Sequence, residues 1–91
     1  VVLWDAVTYQ LVTELRGHTK AVLSLAFMPD SSVLASASVD LKIMLWDLTS
    51  NTRIGELIDH TGVVTCVAFS PDGTVLASGS VYGTIKLWDV K

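Results

Sequence analysis

The chain has 91 residues, a formal net charge of −3, 51% hydrophobic against 16% charged residues, and a mean hydropathy of +0.54. Its six Lys and Arg residues are scattered, giving neither the clustered basic footprint that nucleic acid needs nor one suited to an anionic membrane. No apolar run approaches the roughly 20 residues of a membrane span, and no charged start leads into an apolar core and cleavage site.

A chain of this length withholds only about 60–65% of its unfolded surface from water. So apolar a composition therefore implies sheets packed on both faces, or apolar surface handed to a neighbour. The single Cys66 permits no internal disulfide and fits a reducing, cytoplasmic compartment. The chain opens directly on an apolar strand, Val1-Val2-Leu3-Trp4, which reads as a cut through a longer sequence.

In chain order, that opening strand is followed by a short polar stretch at 6–9 and a weaker strand at about 10–15. From Val22 the apolar pattern has period two: Val22, Ser24 and Ala26 alternate with Leu23, Leu25 and Phe27. Both sets are small or apolar, as in strands covered on both faces. Pro29-Asp30-Ser31-Ser32 is a turn, since proline presets φ at its second position. Strands at 33–38 and 43–47 flank a tight turn at 39–42, and a more polar strand runs 53–58 after the linker 48–52. The pattern then repeats: Val64, Cys66 and Ala68 alternate with Thr65, Val67 and Phe69. The turn Pro71-Asp72-Gly73-Thr74 follows, then strands at 75–80 and 85–89 about a turn at 81–84, where Gly83 tolerates positive φ. No segment carries an amphipathic helical stripe, so the fold class is all-β.

Trp-Asp occurs at 4–5, 46–47 and 88–89, at one constant spacing, and nearly half of the positions are identical between 6–47 and 48–89 without a gap. A fixed period of this size marks a repeat architecture, in which each unit buries its apolar face against the next. The arrangement Gly17-His18, Val22 to Asp30, Leu34-Ala35-Ser36, Asp40 and Leu45-Trp46-Asp47, and its second copy from His60 to Leu87-Trp88-Asp89, resembles the WD-repeat family over essentially the whole chain.

The resemblance implies a β-propeller segment of four-stranded antiparallel blades, about two WD repeats, with each repeat offset from its blade. By that division 1–15 is the end of one blade, 21–58 a complete blade and 63–89 three strands of the next. It further implies a hydrogen-bonded tetrad of His18, Ser36, Asp40 and Trp46. A buried indole N–H needs an acceptor, a hydroxyl can accept it and donate onward to imidazole, and the imidazole can donate to the carboxylate. The second copy has His60, Ser78 and Trp88, but Tyr82 stands where the Asp belongs and Asp59 replaces the Gly, so the second blade is expected to be softer.

The His-Ser-Asp set also has the residue types of a hydrolase. The repeat, however, supplies a structural use for all three, and no Gly-rich elbow accompanies Ser36. No catalytic residue, cofactor or metal is therefore expected. His18 and His60, one repeat apart, lack the close pairing of zinc motifs. Asp30 and Asp72 are expected as turn formers, Asp47 and Asp89 as strand ends, and Cys66 as a small core residue. Tyr9 and Tyr82 lie in turns as candidate anchors.

The remaining function is binding of a protein or peptide, and of further blades from the same chain or from identical chains. By resemblance, Thr19, Ala21 and Val39 in one blade, with Thr61, Val63 and Val81 in the next, would lie on the recognition face. An alternative role is the sensor propeller of a larger signalling ATPase or kinase. Only flanking sequence carrying a phosphate-binding loop or kinase signature separates that from a scaffold.

Overall fold

The computed structural model describes residues 1–4, 11–29, 32–58 and 62–90, with segments 2–4 and 11–14 described by backbone alone. The expected features at Tyr9, Asp30, Asp59, His60 and Thr61 lie outside the described residues. Nine strands are present among those described: β1 (Val2–Trp4), β2 (Leu11–Glu14), β3 (Val22–Phe27), β4 (Val33–Ser38), β5 (Ile43–Asp47), β6 (Thr52–Leu57), β7 (Val64–Phe69), β8 (Val75–Ser80) and β9 (Ile85–Asp89). They form three antiparallel sheets ordered β1-β2, β3-β4-β5-β6 and β7-β8-β9. The fold is all-β, and the strand pattern of the two larger sheets is that of propeller blades.

The repeat extends to the irregularities of pairing. The β3–β4 register shifts between Val22 and Ser24, and the β7–β8 register shifts between Val64 and Cys66. Likewise β5–β6 shifts between Leu45 and Trp46, and β1–β2 between Leu3 and Trp4. Each shift admits one extra residue into one strand, which bends it and sharpens its twist.

Turn chemistry follows the sequence closely. The Gly73 N–H donates to the Ser70 carbonyl at 2.9 Å, closing a turn with Pro71 second, and Gly73 has φ of +75°. At the other end of the sheets, the Leu41 N–H donates to Ser38 O at 3.3 Å and the Gly83 N–H to Ser80 O at 3.1 Å. These two turns occupy equivalent places in the repeat, yet one has a leucine at φ 72° where the other has glycine at φ 78°.

Side chains alternate across each sheet, so the four-stranded sheet has two distinct faces. One carries Ala35, Ala37 and Ile43, which pack with Val64, Val67 and Leu76 of the third sheet into a single buried cluster. The other carries Leu34, Met44 and Trp46, buried with Leu15, which follows the first sheet. Burying one such leucine is worth about 1.5–3 kcal/mol, so these clusters fix the stacking order.

Two expectations are corrected. Strand β3 is covered on one face only: Leu23, Leu25 and Phe27 are 48%, 49% and 62% exposed, because no described residue covers them. Cys66 is exposed rather than buried, because it lies on the face of the third sheet turned away from the second. Period-two alternation assigns residues to faces but does not say which faces find a neighbour.

Candidate functional site: the His-Ser-Trp-Asp chain and the loops it holds

In the four-stranded sheet, Ser36 and Trp46 sit on neighbouring strands β4 and β5 with their side chains on one face. The Trp46 indole N–H donates to Ser36 Oγ at 2.8 Å. His18, on the segment leading into β3, places Nε2 at 2.6 Å from Ser36 Oγ and Nδ1 at 2.9 Å from an Asp40 carboxylate oxygen. In a neutral ring the consistent assignment runs one way. Indole donates to hydroxyl, hydroxyl donates to Nε2, and the Nδ1–H donates to the carboxylate.

Asp40 also accepts the Thr19 N–H at 3.2 Å and the Lys42 N–H at 3.0 Å. Burial alone would raise its carboxyl, but the His18 ring and the amides of Lys42 and Thr19 outweigh that and hold it below the usual carboxylate range.

These bonds tie two loops together. Segment 18–21 enters the sheet and segment 39–42 turns out of it. They are joined by His18 and the Thr19 amide on Asp40, and by the Val39 N–H donating to Ala21 O at 2.9 Å, while the Lys42 amide on Asp40 holds segment 39–42 to itself. Ser38 adds a further link that the sequence alone did not reveal. Its Oγ donates to Lys20 O at 3.3 Å and accepts the Asp40 N–H at 3.1 Å. Its signal is the identity of Ser38 and Ser80 at equivalent places in the repeat. Gly17, which the motif already contained, has a steric reason as well. A Cβ there would lie 3.0 Å from the Trp46 ring and 3.1 Å from Met44 Sδ, so the backbone passes closely only without a side chain.

The second copy differs as its sequence differs. The Trp88 indole donates to Ser78 Oγ at 2.8 Å, as in the first, and the Val81 N–H donates to Val63 O at 3.0 Å. Tyr82, in place of the Asp, turns outward and is 75% exposed. Its ring lies over Gly62, where a Cβ would meet it at 2.6 Å.

Of the residues expected on the recognition face, Thr19, Ala21 and Val81 are exposed, whereas Val39 and Val63 are half-buried. All five belong to the loops at one end of the sheets. The turns after β3, β5 and β7 lie at the opposite end. There two of the expected structural aspartates, Asp47 and Asp72, bond within their own turns. Asp47 accepts the Thr49 hydroxyl and amide at 2.6 and 2.9 Å. Asp72 accepts the Ser70 hydroxyl at 2.7 Å together with the amide and hydroxyl of Thr74, and these bonds lower its pKa to about 2.

The chemistry open to this constellation is narrow. Ser36 is wholly buried and its one side-chain oxygen is engaged by Trp46 and His18, so no carbonyl can reach it in this conformation. No three His, Cys, Asp or Glu residues gather as metal ligands among the described residues. No described helix is long and apolar enough to cross a membrane.

The model of the WD domain, G-beta repeat, matches residues 9–47 and 51–89. The chain belongs to the WD40 repeat family. WD40 repeats generally mediate protein–protein interaction, typically binding proteins or peptides. WD40 domains are typically non-catalytic scaffolds. The two matched units are the same two that the Trp-Asp spacing defines, and each contributes one Trp–Ser hydrogen bond.

Proposed function

We infer that the chain is a non-catalytic recognition module of a propeller, binding a protein or peptide at the loop end formed by 18–21, 39–42, 62–63 and 81–83. In this reading 21–58 is a complete blade, 1–15 belongs to the blade before it and 63–89 to the blade after it. The observation that carries it is the bonding of His18, Asp40 and Ser36 into a support for two loops, which leaves Thr19 and Ala21 outward and their backbone fixed. Groups that would otherwise do acid–base chemistry serve there as a brace. A rigid, weakly charged loop end suits a partner by lowering the ordering cost of association. Tyr82, a large amphipathic side chain beside Val81, is the natural anchor in the second blade. A reducing, cytoplasmic setting accords with the lone cysteine.

The test is peptide selection on the immobilised chain, followed by binding to variants at the two ends. Ala21→Asp and Tyr82→Ala should each weaken the selected peptides by about tenfold or more, and Ser50→Lys at the opposite end should leave them unchanged. Peptides that respond to Ser50→Lys and not to the other two would place recognition elsewhere.

A further inference from the structure

The four-stranded sheet meets a buried cluster on each of its faces, through Ala35, Ala37 and Ile43 on one and Leu34, Met44 and Trp46 on the other. Its loop end, at 18–21 and 39–42, carries two exposed residues outside both clusters, Lys20 and Leu41. Ser38 holds them side by side. Its carbonyl accepts the Leu41 N–H at 3.3 Å, and its hydroxyl donates to the Lys20 carbonyl at 3.3 Å.

Leu41 is 37% exposed and contributes no core packing. Its φ of 72° is a left-handed conformation that strains a leucine but not a glycine. The second unit has glycine there, Gly83 at φ 78°. A strained backbone that holds an apolar side chain toward solvent serves no purpose in the fold, and such strain gathers at binding sites.

Lys20 forms no ion pair with the described residues. Lys42 and Arg53, by contrast, lie 4.0 and 2.9 Å from the Glu56 carboxylate. The Asp40 carboxylate, 6% exposed, is turned onto His18 and the amides of Thr19 and Lys42. At the opposite end the turns carry Asp47 and Asp72, so a chain of net charge −3 presents an unpaired cation at its loop end. That polarity favours a partner with negative charge at the loops.

The second unit lacks both features. Gly62 and Gly83 stand one repeat after Lys20 and Leu41, whereas Ser36, Ser38 and Trp46 recur as Ser78, Ser80 and Trp88. Tyr82 covers Gly62 so closely that a Cβ there would meet its ring at 2.6 Å, which leaves no room for a lysine. The two units thus keep the serines and tryptophan of the sheet and change the outward residues of the loops.

We propose that Leu41 and Lys20 set the specificity of the loop end, for a peptide in which an apolar side chain neighbours a carboxylate. The apolar group packs on Leu41 and the carboxylate pairs with the Lys20 ammonium. This rests on the recognition reading above and names the chemistry of its partner. The strained turn presents the leucine already oriented, which lowers the ordering cost of association.

The experiment measures binding of the full chain, by fluorescence anisotropy, to synthetic peptide pools that share a central leucine flanked by Glu, Gln or Lys, beside a fully random pool. The Glu pool should bind about tenfold tighter than the Gln or Lys pool. Lys20→Glu should transfer the preference to the Lys pool. Leu41→Gly and Leu41→Asn both suit a left-handed turn, so neither should lower the thermal midpoint, yet each should weaken the Glu pool by about tenfold. Equal binding of the three pools, a preference that survives Lys20→Glu, or full affinity in Leu41→Asn overturns the proposal. Binding from the random pool that falls with Ala21→Asp and Tyr82→Ala, but not with Lys20→Glu or Leu41→Gly, overturns it while leaving the recognition reading intact. A chain that binds no pool overturns both.

Discussion

Replacing Ser36 by alanine removes one atom that two buried groups depend on. The Trp46 indole N–H, on a residue 2% exposed, loses its 2.8 Å acceptor. The His18 ring, with its side chain 5% exposed, loses its 2.6 Å partner at Nε2. Each stranded polar group costs about 1–3 kcal/mol, so the pair should cost about 2–6 kcal/mol. Stability of about 0.05–0.15 kcal/mol per residue gives a chain of this size about 5–14 kcal/mol, so the loss is a large fraction of the whole. In urea, followed by tryptophan fluorescence, the midpoint of Ser36→Ala should fall by about 1–3 M with the slope unchanged. Ser78→Ala should cost clearly less, because Trp88 is half-buried where Trp46 is 2% exposed, so its group is less fully removed from water. A double-mutant cycle of Ser36→Ala with Trp46→Phe isolates the coupling. A loss below about 0.5 kcal/mol for Ser36→Ala, or equal losses at Ser36 and Ser78, would refute the account of the brace.

Leu41→Gly should stabilise the chain by about 1 kcal/mol in the same titration, since φ of 72° strains leucine and Gly83 already occupies the equivalent position. Gly83→Ala should cost a similar amount from backbone strain alone, because a Cβ there meets nothing within 4 Å. Gly17→Ala should cost about 1–3 kcal/mol by overpacking against Trp46 and Met44. Gly55→Ala, with only an ordinary 3.8 Å contact, should be tolerated, and equal effects would contradict the close approach at Gly17. Asp72 is held at about 2 by Ser70 and Thr74, and Asp40 is also lowered, so both favour the folded state above the ordinary carboxylate range. That contribution is lost as pH falls through their folded values. Asp72→Asn should accordingly flatten the decline in thermal midpoint between about pH 4 and pH 2.

The fold was legible because repetition multiplies weak signals. No single short strand is distinctive, but the same alternation, turn and Trp-Asp twice over leave one register. The strands at 33–38, 43–47, 75–80 and 85–89 fall where the pattern puts them. The contacts among His18, Ser36, Asp40 and Trp46 were anticipated from the resemblance together with donor–acceptor chemistry. The exposure of β3 and of Cys66 was not legible, because whether a face is covered depends on what lies over it, and alternation contains no such information. Leu41 was a different kind of miss. Its positive φ is invisible in a leucine, yet the glycine one repeat later states the conformation plainly. Ser38 was hidden by its ordinariness, since a serine ending a strand looks like any other until its two bonds are seen.

The register shifts recur at the same places in successive units, at Val22/Ser24 and Val64/Cys66 and again at Leu3/Trp4 and Leu45/Trp46. Each sheet thereby acquires its curvature from its own unit rather than from its neighbours. A gain or loss of residues within a strand would shift that curvature and spoil the fit on both sides. A gain or loss of a whole unit leaves every surviving sheet with the shape it had. Length in this architecture is thus a quantity that changes freely in integers and hardly at all in fractions, so variation is channelled into the number of units and into the turns between strands.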